Sequence, residues 1–207
     1  MTVAQRERAA LVTTMRGVGP DHPTLCGEWT TRDLAAHLVI RERRLDAAPG
    51  ILIPRFAAYT ERVQDQVAAG NDWNVLLDQL ASGPPLLSPF KLLDPVVNVS
   101  EMYIHHEDVR RAESGWEPRE LDQDAVTALT RQVSLMARMA LSKAPARVTL
   151  RTPEGKTLAT AGRGPAVVVT GAPLELLMFS SGRDEARVEF TGDEAAIAAV
   201  KAGRSGL

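Results

Sequence analysis

Residues 98–111 read Asn-Val-Ser-Glu-Met-Tyr-Ile-His-His-Glu-Asp-Val-Arg-Arg, a dense run of metal-ligand side chains. On a helix, Glu101 and His105 stand one turn apart on one face, with Asp108 on the next turn of that face. A carboxylate and an imidazole so spaced form half of a metal site that a helix can hold rigidly. The other half must come from elsewhere, and outside this run the chain has only His22 and His37. His37 lies in a strongly helical segment. The spacing therefore predicts a helical bundle that holds a divalent metal between His37, Glu101 and His105. Two imidazoles and one carboxylate leave such an ion near +1, enough to polarise a carbonyl or acidify a bound thiol. Glu-x-x-x-His is a weak motif alone, and the plain alternative is a surface pair on one helix with His37 as a satisfied core histidine.

Most of the other polar candidates admit two readings. Asp108 could orient a ligand imidazole or pair with Arg41, or it could form a surface ion pair with Arg110 or Arg111. His106 points about 100° away from His105 and reads as a core residue or one packed behind the ligands. His22 reads as a loop residue. Cys26 could act as a soft ligand, but a lone cysteine is usually a small buried hydrophobe. Arg41, Arg43, Arg44, Arg110 and Arg111 fall on the same two segments. They read as a solvated face or as a clamp for a substrate carboxylate, with Arg41 and Arg111 the catalytic candidates beside Asp108.

Composition narrows the function. The chain has 207 residues, a net charge of −2 and a pI near 6.1, which argues against general nucleic-acid binding. No apolar run approaches a membrane span, and Met1 to Arg8 lacks the apolar core of a signal peptide. One cysteine excludes an intrachain disulfide and suits the reducing cytoplasm. Nucleophile elbows, Walker-type loops, dinucleotide fingerprints and His-Glu-x-x-His are all absent.

Periodicity predicts helices over 2–16, 31–46, 55–69, 73–81, 95–112 and 122–143. Thr30 to Asp33 resembles a capping box, and Pro95 suits a helical first turn. Leu34, Leu38 and Leu45 form the expected buried stripe of the second helix, and Phe56, Tyr59, Val63 and Val67 that of the third. Val126, Leu129, Val133, Met136 and Met139 form that of the last. The prolines of Gly83 to Pro89 predict a loop. The grammar changes at Pro145: strands at 147–151, 166–170 and 186–190 alternate with helices at 173–180 and 193–201, and 152–164 reads as turn. This predicts a mainly α chain, with a helical bundle over 1–144 and a small α+β domain over 145–207.

Leu25-Cys26-Gly27-Glu28-Trp29-Thr30, followed by Arg32-Asp33-Leu34-Ala35-Ala36-His37-Leu38, resembles the N-terminal signature of the mycothiol-dependent maleylpyruvate isomerase family. Glu101 to Asp108 is similar to that family's second metal-ligand segment. Gly171 to Leu177, Gly182-Arg183 and Val188 to Gly192 resemble its small C-terminal domain. The resemblance implies a DinB-like four-helix bundle, a sterol-carrier-like α+β domain and zinc-ligand roles for His37, Glu101 and His105. His-His-Glu-Asp-Val-Arg-Arg is also similar to an actinobacterial subgroup described as metal-binding. That extended motif departs from the isomerase's own, so the isomerase's substrate does not carry over.

The expected function is a zinc-dependent isomerase or transferase that uses mycothiol or a similar thiol on a small electrophile. The alternatives are a non-catalytic metal-bearing or ligand-binding module and, more remotely, a metal-dependent hydrolase.

Overall fold

Thr2 accepts a hydrogen bond from Gln5 N–H while the Gln5 side chain returns to the Thr2 backbone, and this capping box starts α1, Val3–Val18. The same device, Thr30 with Asp33, starts α2, Thr31–Arg43. The structure is a computed structural model that describes residues 1–51, 53–85 and 89–203, without the side chains of 89–97. It continues with α3 (Ala57–Gly70), α4 (Trp73–Ala81), α5 (Pro89–Arg110) and α6 (Gln123–Leu141). Strands β1 (Arg147–Arg151), β2 (Thr157–Ala161) and β3 (Ala166–Thr170) follow, then α7 (Pro173–Ser180), β4 (Glu189–Gly192) and α8 (Glu194–Ala202). The chain is thus mainly helical with one small mixed sheet. No helix among the described residues is long and apolar enough to cross a membrane.

The chain divides into two compact units, Met1–Pro118 and Arg119–Leu207. In the first, α1 packs along α5, and α2 packs on α3 and α4. The core is drawn from four helices, with Leu11 and Met15 of α1, Leu34 and Leu38 of α2, Leu76 and Leu80 of α4 and Met102 of α5 all fully buried. Burial of each such side chain stabilises by roughly 1.5–3 kcal/mol, which holds α2 and α5 in a fixed relation. In the second unit the sheet order is β2-β1-β3-β4, with β1 and β3 parallel and the outer pairings antiparallel. Val148, Leu150, Val167 and Val169 alternate inward, and α6 packs against α7 and β2.

Several expectations shift. The change from helix to strand at Pro145 is real, but α6 falls in the second unit because its apolar face covers α7 and β2. Periodicity marks a helix without saying what it covers. α5 begins at Pro89, which takes the first-turn position, and Pro95 lies inside it at the expense of one backbone hydrogen bond. The expected loop from Gly83 to Pro89 falls partly outside the described residues, at 86–88.

Thr157–Ala161 forms a strand, β2, where turn was expected, because pairing with β1 overrides a weak local pattern. The last strand sits at Glu189–Gly192, later than the expected 186–190. Leu45, Phe56, Tyr59 and Met139 are each 43% exposed or more. α2 ends at Arg43, before Leu45, and a 3-10 turn over Pro54–Phe56 replaces the start of the third helix at Phe56, while Tyr59 lies within α3 and donates its hydroxyl to Asp46. On α6 the stripe runs instead through Ala125, Leu129, Val133, Ala137 and Leu141.

Candidate metal centre

α2 and α5 bring His37, Glu101 and His105 together. One donor atom from each lies within 4.8 Å of the other two. Glu101 Oε1 stands 3.3 Å from His105 Nε2 and 3.9 Å from His37 Nε2. Ligands about 2.0–2.2 Å from a tetrahedral ion sit roughly 3.3–3.6 Å apart, so Glu101 and His105 already stand at ligand spacing and His37 must move inward to complete the set. The two imidazoles meet edge to face at 5.7 Å, and Trp29 backs His37 at 5.0 Å. Both histidines are buried, while Glu101 is partly open.

Asp108 is fully buried and binds His105 Nδ1 at 2.8 Å. A carboxylate on Nδ1 fixes the ring and leaves Nε2 to face Glu101 and His37. This is the contact that the orienting reading of Asp108 calls for, and the neighbouring Glu107 accepts from both Arg110 and Arg111. The five arginines reach different groups. Arg41 Nε reaches Glu101 Oε1 at 3.3 Å. Arg43 binds the carbonyls of Gln79 and Gly83, Arg44 binds Asp46, and Arg111 is buried over the Trp116 ring at 4.2 Å. His106 sits behind the ligands on Thr14, and His22 lies against the Pro23 carbonyl.

Cys26 belongs to this neighbourhood, which local sequence did not indicate. The Leu25 N–H donates to the Asp108 carbonyl and ties the loop to the end of α5. Cys26 Sγ then lies 3.1 Å from Asp108 Oδ2 and 3.7 Å from His105 Nδ1. Cys26, His105 and Asp108 are a second group whose donors could hold a metal. It competes for the His105 nitrogen that Asp108 already engages. The signal was the Leu25-to-Trp29 motif, whose tertiary anchor is invisible in one dimension.

Burial alone would raise the Glu101 carboxyl, but hydrogen bonds from His105 and His37 and the charge of Arg41 hold it well below 4.5. Burial would lower His105, yet its hydrogen bonds to Asp108, Cys26 and Glu101 hold it well above 6.5. His37 is pushed down, chiefly by burial, and so stays a neutral donor. Without metal the centre is a Glu101 carboxylate against a His105 imidazolium. The depressed carboxyl stabilises the fold above pH 4.5, and this is lost as pH falls through its folded value. The raised imidazole stabilises below pH 6.5, and this is lost as pH rises through its folded value. In metal-free protein, Glu101→Gln is therefore expected to lower the thermal midpoint most between about pH 4.5 and 6.5. Melting curves across acid to alkaline pH test this, and a pH-independent deficit would contradict it.

No family model and no curated protein matches the sequence. Two solved structures match the fold, both of a mycothiol-dependent maleylpyruvate isomerase. The first, a histidine-to-alanine mutant, has a TM-score of 0.55 at 15% identity, covering 91% of this chain and 90% of that one. The second has a TM-score of 0.54 at 14% identity with the same coverage. At this identity the relationship is a distant one of fold.

Proposed function

We propose that the chain is a divalent-metal protein, zinc being the expected ion, that acts as a thiol-dependent isomerase or transferase on a small electrophile. The observation that carries this is the convergence of His37, Glu101 and His105 from two helices onto one partly open point. The donor set fits zinc, with two imidazole nitrogens and one carboxylate oxygen. Bound there, zinc would supply a Lewis acid with an open position that favours a low-molecular-weight thiol as its thiolate.

The chain's own residues do the rest. Asp108 holds His105 in one orientation, and Glu101 offsets charge at the centre. Arg41 places a cation beside it, where a carboxylate-bearing substrate would be steered. Arg111, held between Glu107 and Trp116, has no part in this reading. The fold neighbours, named as mycothiol-dependent enzymes, support a thiol partner, and mycothiol is the first candidate. We take the first unit as a DinB-like four-helix bundle and the second as a sterol-carrier-like domain. A free-thiol partner places the protein in the reducing cytoplasm.

The test is thiol titration of the cobalt-substituted protein in a Cys26→Ser background, which removes the chain's own sulfur. A saturable sulfur-to-cobalt absorption band on addition of mycothiol is expected. A coordination sphere that no thiol enters would contradict the thiol reading and favour a non-catalytic metal-bearing module.

A further inference from the structure

Arg41 does not reach Glu101 unaided. Its Nη1 donates to Asn98 Oδ1 at 2.5 Å, while its Nε faces Glu101 Oε1 at 3.3 Å. One planar guanidinium thus spans two side chains one turn apart on α5. Asn98 is itself fixed, since its Nδ2 donates to Glu42 Oε1 at 3.4 Å. Glu42 is in turn gripped by Arg8, through Nη2 to Oε1 at 2.6 Å and Nη1 to Oε2 at 2.8 Å. A polar line therefore runs from α1 through α2 to α5 and ends on a ligand atom. Asn98 is 0% exposed, Glu42 1%, Arg8 3% and Arg41 8%.

A buried polar line of this kind is costly unless every member is matched, and hydrophobic residues would have filled the space more cheaply. Its terminus gives it a use. Glu101 is the most open of the three ligand candidates, and a glutamate on the flank of a helix has several rotamers to choose from. The arginine holds Oε1, the oxygen that also faces both imidazoles. A fixed oxygen binds a cation with less loss of rotamer freedom. It also keeps the carboxylate from swinging to offer both oxygens and crowd the open position.

We infer that Asn98, held by Glu42 and Arg8, is a positioning residue for the centre: it locks Arg41 so that Glu101 presents one oxygen beside His37 and His105. This rests on the metal reading above and extends it to residues outside the three candidate ligands. Such outer partners typically contribute 10–100-fold in metal affinity.

The test is zinc affinity by competition titration, with the visible spectrum of the cobalt form as a report of coordination number. Asn98→Ala removes the acceptor. Arg41→Lys keeps the charge but cannot bridge two side chains through separate nitrogens of a planar group. Both are expected to weaken zinc by about tenfold and to change the intensity of the cobalt spectrum. A merely structural role would lower the melting temperature of Asn98→Ala and leave zinc affinity and the cobalt spectrum unchanged, and that result overturns the inference. Should Asn98→Ala fail to fold, Arg41→Lys decides alone. A wild-type chain that takes up no zinc overturns the metal reading together with this one; a zinc-binding wild type matched by its variants overturns only this one.

Discussion

His37→Ala, Glu101→Ala and His105→Ala are each expected to purify without metal and to bind added zinc more than about a hundredfold more weakly, a loss above that of an outer partner. The three donors lie within 4.8 Å of one another on two helices, so no single one is redundant. Two ligands on a chain otherwise unchanged leave an ion largely to water. The substitutions differ in what else they disturb. His105→Ala also strips Asp108 of its imidazole partner inside the core. Glu101→Gln keeps the size of the side chain and removes its charge, so it disturbs the packing less than Glu101→Ala. Competition titration against a chelator of known affinity measures all four. Any variant that keeps stoichiometric zinc removes its residue from the coordination sphere.

The second large effect concerns stability. Arg8→Ala leaves the Glu42 carboxylate, 1% exposed, without its two-pronged guanidinium partner. Removing one member of a buried ion pair costs about 3–5 kcal/mol, because the desolvated charge stays behind. For a chain of this size the thermal midpoint should fall by on the order of 10 °C. Replacing both members, as Arg8→Met with Glu42→Leu, should recover much of that loss, since neither charge of the pair is then left behind. Thermal and denaturant unfolding of metal-free protein measures this. A single substitution that costs no more than a surface pair, about 1 kcal/mol or less, would contradict it.

Much of this arrangement is legible in one dimension. Period and caps place α1, α2, α4 and α6 within a few residues of their observed bounds, since their signals are local. Glu101, His105 and Asp108 share a helix, so their spacing alone sets their face. Pairing His37 with them took a further step: that the chain held one other histidine on a helix. The rest depends on tertiary contact. Cys26 reaches the centre only because the Leu25 backbone is bonded to Asp108. Glu42, Asn98 and Arg8 read as ordinary polar residues until packing removes them from water. β2 exists by its pairing with β1, and α6 joins the second unit by the face it buries, neither of which leaves a periodic mark.

The most direct test of the metal centre is elemental analysis of untagged, zinc-reconstituted protein joined to zinc K-edge X-ray absorption. About one zinc per chain is expected, with only nitrogen and oxygen neighbours at roughly 2.0–2.2 Å and the scattering pattern of two imidazoles. A sulfur neighbour near 2.3 Å in thiol-free buffer would move the ion to Cys26, His105 and Asp108, and a chain that takes up no zinc would leave His37, Glu101 and His105 as a buried ion-pair cluster; either result contradicts the account.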